Sequence, residues 1–109
     1  MPGAERAVVE VAKLASYCLS PSHPWGRHKA RVFALRLGLT RSDVFLVRTT
    51  LLEAVATRAD AEPGPVDGFG ARYVLDFPLA GPKGVALVRS VWIVRTGENC
   101  PRLVTLYLI

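Results

Sequence analysis

The apolar residues of this chain change period near residue 70, from helical spacing to alternation, and that switch limits the fold more than any other feature. In the first stretch, Val8, Val11, Leu14 (or Ala15) and Cys18 recur at helical spacing, with Glu10, Lys13 and Ser16 between them. This predicts a short helix near residues 10–19, stopped at Ser20-Pro21 because a residue before proline is pushed out of the α region. The β-branched run at Val8 could instead begin as a strand. A second helix is expected from Pro24 to Leu37, since proline suits a first turn where its missing N–H costs nothing. Ser22 stands upstream as a cap and Gly38 as the stop. At about 100° per residue, Ala30, Phe33, Ala34 and Leu37 form its apolar stripe. Thr40 followed by Asp43 approximates a capping box for a third helix, whose stripe Val44, Val47, Leu51 and Val55 continues to about Thr57.

Residues 59–70 hold two prolines, three glycines and three acids, the chemistry of a loop. Beyond them, Tyr73, Leu75 and Phe77 alternate with Arg72, Val74 and Asp76. Pro78 to Gly84 reads as a turn, and the β-branched run Val85 to Arg95 as a long central strand. After a turn over Thr96 to Pro101, Arg102 to Ile109 closes the sheet, with Val104, Leu106 and Leu108 on its apolar face. The expected fold is therefore α+β, with about three N-terminal helices (8–58), a loop (59–70) and a C-terminal three-stranded antiparallel meander (71–109). One domain spanning 1–109 suits the length, and half the residues are apolar, so a core is feasible without metal or disulfide staples.

Cys18 and Cys100 lie far apart, with no Cys or His at metal-ligand spacing, and are expected as reduced thiols. The N-terminus lacks a basic segment followed by an apolar run, and no apolar stretch approaches the roughly 20 residues that span a bilayer. The expectation is a cytoplasmic protein with no membrane association. The formal net charge of +5 rests mainly on arginine, whose guanidinium fork suits phosphate and carboxylate. A solubilising surface charge would explain it as well; RNA or an acidic protein are the partners it would favour.

The densest polar segment runs from Ser20 to Arg31 and gathers His23, His28, Arg27, Lys29, Arg31 and Trp25 around one helix N-terminus, where free N–H groups and the helix dipole favour anions. Arg27 and Arg31, one turn apart, could clamp a phosphate, and His28 could move a proton near neutral pH. The plainer roles are a turn and cap for His23-Pro24 and a solvated face for His28 and Lys29. A second candidate is the sheet face away from the helices, where alternation collects Arg72, Thr105 and Tyr107; the long strand reads in either phase, and Arg89 is placed with them because burying an unpaired guanidinium costs several kcal/mol. There the plainer account is cross-strand pairing with Asp76 as counter-ion. Trp25 and Trp92 could stack bases, though tryptophan commonly serves a core. Gly-rich phosphate loops, GxSxG, HExxH and acidic clusters for magnesium are missing from the sequence, so neither metal nor cofactor is expected.

The run Leu19-x-Pro21-x-His23-Pro24-x-Gly26-x-x-Lys29-Ala30, with Val88-Arg89-Ser90-Val91-Trp92-Ile93-Val94 and Pro101-Arg102-Leu103-Val104-Thr105-x-Tyr107, resembles an uncharacterised bacterial domain family of about this length. Its members occur free-standing and as C-terminal modules of toxin-like or phage-derived proteins. This sequence departs from the family pattern at Cys18 and Ser20, where Leu and Asn are usual, at Arg72, where Lys is usual, and at its Tyr107-Leu108-Ile109 end. The layout and context are similar to metal-independent ribonuclease toxins, an analogy at the level of fold. On that basis the expected activity is RNA cleavage. His28 or His23 would handle the proton, Arg27, Lys29, Arg31, Arg72 and Arg89 the phosphates, and Tyr107 or Thr105 orientation. The alternative is a non-catalytic module that docks an acidic protein encoded next door, through its arginines and the edge strand ending at Ile109. A single composite site would require the start of the second helix to approach Arg89 and Tyr107.

Overall fold

The computed structural model describes all residues except Pro21, Trp25 and Gly26, and the side chain of Tyr17. Helix α1 (Val11–Lys13) passes directly into a π-helical turn, Leu14–Cys18, closed by Leu19 N–H donating to the Leu14 carbonyl at 2.8 Å. Together these segments fill the expected 10–19 helix. They are preceded by extended chain, because Val8 makes a parallel bridge to Arg102. The β-branched start thus behaves as strand, and not every N-terminal element is helical.

Helix α2 covers Arg27–Leu37 and buries Ala30, Phe33 and Leu37, the expected stripe, with Ala34 half-buried. It starts later than the Pro24 proposed from sequence, although Arg27 N–H already donates to the His23 carbonyl at 3.0 Å. Trp25 and the Ser20-Pro21 stop fall wholly or partly outside the described residues. Gly38, at φ 70°, ends the helix as expected, its N–H bonding the Ala34 carbonyl at 3.0 Å. A 3-10 turn, Arg41–Asp43, then leads into α3 (Val44–Thr57). Thr40 N–H donates to the Asp43 carboxylate at 2.9 Å, the return arm of the expected capping box. Val44, Val47, Leu51, Ala54 and Val55 are buried along α3. Each of the valines and Leu51 contributes about 1.5–3 kcal/mol relative to an exposed position.

The sheet has four strands, not three, in the order β1-β2-β3-β4, all antiparallel: β1 (Glu62–Asp67), β2 (Gly70–Gly81), β3 (Gly84–Arg95) and β4 (Pro101–Leu108). The added strand lies within the segment expected to be loop. Pro63 and Pro65 cannot donate to a ladder, but β1 is an edge strand and carries a bulge between Pro63 and Val66, which accommodates both. The expected turn at Pro78–Gly84 also shrinks to Pro82 and Lys83, because β2 and β3 pair as far as Gly81 and Gly84. Pro78 fits since β1 pairs with β2 only through Val74.

The helices cover one face of this sheet, and Leu75, Phe77, Leu79, Val88, Trp92, Leu103 and Leu106 meet them in the core. Val104 was expected among those core residues, yet Leu103 takes the place. The register runs Val91↔Thr105 and Trp92↔Leu103, so Val104 is the extra residue of a bulge that reverses the alternation of β4. In the centre of the sheet the Trp92 indole N–H donates to Ser90 Oγ at 2.8 Å, and Ser90 donates to the Leu75 carbonyl at 2.7 Å. Trp92 is therefore a core residue, the common role of a tryptophan. Cys18 is buried and Cys100 half-buried, and both are free thiols.

One clasp sets the lie of α2. Lys83 N–H, in the β2–β3 turn, donates to the Leu37 carbonyl at 3.0 Å. A Cβ on Gly81 would lie 2.2 Å from that carbonyl oxygen, so the approach requires glycine there. With its C-terminal end held at this turn, α2 carries its basic N-terminal half to the flank of β4.

Candidate functional site

Two depressions adjoin the first turns of α2, and His28 lines both. The larger, about 650 Å³, is bounded by Leu19, Ser22, Ala30 and Ala34, by Arg27 and Arg31, and by Thr40, Arg41 and Ser42 from the turn before α3. The reversal at Gly38 brings these last three residues back against α2. Arg27, Arg31 and Arg41 are exposed, and none has an ion-pair partner among the described residues. Arg41 has no place in the sequence-derived site. Its distance in sequence from the basic segment hid it; the short Gly38-Leu39-Thr40 link was the available sign.

The smaller depression, about 190 Å³, lies on the other side of His28, between Lys29, Val32, Tyr107 and Leu108. Lys29 Nζ donates to Thr105 Oγ1 at 3.4 Å and stands 4.8 Å from the centre of the Tyr107 ring. That spacing is within reach of a cation–π attraction. Thr105 also contacts the Cys18 thiol, whose pKa is pushed up chiefly by burial, with the Leu106 N–H opposing.

Tyr107 pairs across the strands with Arg89, and Arg89 with Asp76, so the three share one row on the open face. Arg89 donates two hydrogen bonds to the Asp76 carboxylate, both 2.9 Å. The Asp76 carboxyl is held below its usual range by those bonds, and Arg89 is pushed above its own first by Asp76 and then by Tyr107. Cross-strand pairing with Asp76, the plainer account of Arg89, is thus present in the structure. Arg72 sits two rows further along the same face and donates to Asp67 at 2.8 Å.

The structure therefore joins Lys29, Thr105, Tyr107 and Arg89 on one side of His28, and Arg27, Arg31 and Arg41 on the other. Arg72 is held apart by Asp67. His23 lines neither depression; its carbonyl accepts the Arg27 N–H at 3.0 Å. The expected free edge at β4 is largely taken. Val8 N–H donates to the Pro101 carbonyl at 2.8 Å and Leu103 N–H to the Val8 carbonyl at 3.0 Å, while Cys18 meets Leu106 N–H. Among the described residues no group of three or more His, Cys, Asp or Glu could hold a metal ion, and no helix is long and apolar enough to cross a membrane.

A whole-length match decides the family, since the pattern described as domain of unknown function, DUF6883, fits residues 1–109. The chain belongs to the DUF6883 family. This agrees with the uncharacterised domain of about 110 residues expected from sequence. No curated protein matches the chain. Among solved structures, this DUF6883 domain is similar to a chain in a contact-dependent growth inhibition toxin–immunity protein complex from Klebsiella pneumoniae 342, at a TM-score of 0.63. The match covers 92% of this chain and 97% of that one at 19% identity, a likeness of fold.

Proposed function

We propose that this domain is a toxin-like module that cleaves RNA in the cytoplasm without a metal ion. The observation that carries the reading is the position of His28, shared by the arginine-lined pocket and the Lys29–Tyr107 depression. A phosphodiester lying across α2 would have the guanidinium groups of Arg27, Arg31 and Arg41 on one side and Lys29 on the other. In the reaction the ribose 2′-oxygen attacks phosphorus, the P–O5′ bond breaks, and a 2′,3′-cyclic phosphate and a 5′-hydroxyl result. His28 accepts the 2′-hydroxyl proton, and the 5′-oxygen takes a proton from the Tyr107 hydroxyl. The cations stabilise the charge that grows on the phosphorane. Arg89, already neutralised by Asp76, acts here by orienting Tyr107, and Thr105 by placing Lys29. His23 remains the second histidine able to carry a proton. The fold neighbour from a toxin–immunity complex and the toxin-like setting suggested by the sequence resemblance both support the reading.

The test is incubation of purified protein with total RNA in EDTA. Wild type should yield fragments ending in cyclic phosphate, and His28→Ala should slow their appearance by about 10²-fold or more. Intact RNA at high protein excess, unchanged by His28→Ala, refutes the reading. The second reading is a non-catalytic module docked by an acidic protein, and the immunity protein in the neighbour's complex favours it. Co-purification of a small acidic partner, together with no cleavage in the EDTA assay, would establish it in place of the first.

A further inference from the structure

We infer that the pocket between α2 and the turn before α3 receives one unpaired nucleotide of a single-stranded nucleic acid, with its phosphate on the arginines and its base on the apolar floor. The inference rests on the reading above and names the substrate class of that site. At about 650 Å³ the pocket is in the size range of small-molecule sites. Among the described residues its apolar lining is Leu19, Ala30 and Ala34, the first two of them buried. The two alanines stand one helical turn apart and leave a flat apolar strip on which a planar ring can lie.

The polar groups are at the rim. Arg27 and Arg31 rise from α2, Arg41 faces them from the following turn, and Ser22, Thr40 and Ser42 supply hydroxyls. Elsewhere Arg6, Arg48, Arg72, Arg89 and Arg102 are each bonded to a carboxylate or a backbone carbonyl, while Arg36, Arg58 and Arg95 lie outside the pocket without such a bond among the described residues. Arg27, Arg31 and Arg41 share an opening with no acid among the described residues of its lining. Gathered like charges repel, and a bound anion offsets that repulsion. A base held in a duplex cannot reach a concave floor without leaving its stack, so the pocket selects against paired strands.

The experiment measures binding apart from cleavage, using a fluorescent 2′-O-methyl RNA 12-mer, which has no free 2′-hydroxyl to attack. Anisotropy titrations of the full chain would compare this strand alone with the same strand annealed to its complement. The expected result is single-strand binding at least about tenfold tighter than duplex binding, with a salt slope that falls by about one for each pocket arginine removed. Arg31→Glu and Arg41→Glu should each weaken single-strand binding severalfold more than Arg36→Glu, an equal charge change on α2 outside the pocket. Ala34→Phe, which fills the floor without altering charge, should abolish the preference for the single strand while circular dichroism shows a folded chain. Equal or tighter duplex binding, no binding at all, or equal losses for Arg36→Glu and the pocket variants would each overturn the inference. Single-strand binding without cleavage of ordinary RNA would instead sustain it and remove the catalytic reading alone.

Discussion

Replacing Ser90 with alanine should cost far more than the loss of one oxygen atom suggests. Ser90 and Trp92 are fully buried, and the hydroxyl both accepts from the indole N–H and donates to the Leu75 carbonyl. Deleting it removes the donated bond, worth about 1 kcal/mol, and leaves the buried indole N–H unpaired, at about 1–3 kcal/mol. The sum, about 2–4 kcal/mol, is a large share of the roughly 5–15 kcal/mol that holds a domain folded. The cost of the unpaired donor vanishes if the donor is removed too. In a double-mutant cycle, Ser90→Ala and Trp92→Phe together should therefore destabilise by about 1–2 kcal/mol less than the sum of the two single variants. Urea unfolding followed by circular dichroism measures all four corners without relying on tryptophan emission. If the two effects add to within about 0.5 kcal/mol, the hydrogen-bonded chain is not a coupled unit and the reasoning is refuted.

Gly81→Ala should drive a methyl group into the Leu37 carbonyl, break the Lys83 clasp and destabilise by about 1–3 kcal/mol. Gly68→Ala, in open space, should change stability by no more than about 0.5 kcal/mol in the same melts. The carboxyls of Asp67, Asp76 and Glu98 are held below their usual ranges, the first chiefly by the Phe69 N–H and the others by Arg89 and Arg102. Their stabilisation is complete above the unfolded carboxylate range and is lost as pH falls through the lowered folded values. Melting temperature should hold level from pH 7 to about 5 and drop below about 4, and Asp76→Asn should make that drop shallower.

Much of the framework was legible in the residues. The stripe Ala30-Phe33-Leu37 and the stripe of α3 each report a single buried face, because helical spacing leaves no other way to cover those side chains together. The alternation of Leu75 and Phe77 against Arg72 and Asp76 did the same for β2. β1 escaped notice because Pro63-Gly64-Pro65 carries loop chemistry, and an edge position that forgives missing N–H groups is decided by the neighbouring strand. The Val104 bulge was equally hidden: β4 reads as alternating in either phase, and only its pairing with β3 selects between them. At the site, the basic run from Arg27 to Arg31 was plain. Arg41 was not, since its approach depends on the chain reversing at Gly38. Nor could sequence alone show that Asp76 and Asp67 would take up Arg89 and Arg72.

The borders of the sheet bear on how this domain can acquire partners. Along β4, Val8, Cys18 and Lys29 already occupy the flank. Along β1, Pro63 and Pro65 interrupt the donors a visiting strand would need. A partner is thereby steered away from main-chain hydrogen bonds, a grammar shared by every peptide, and toward the particular side chains of α2, α3 and the open face. Recognition written in side chains can be revised one substitution at a time while the scaffold is left alone. Two copies of this domain that have drifted apart at a few surface positions would then require different partners, even with their backbones superimposable.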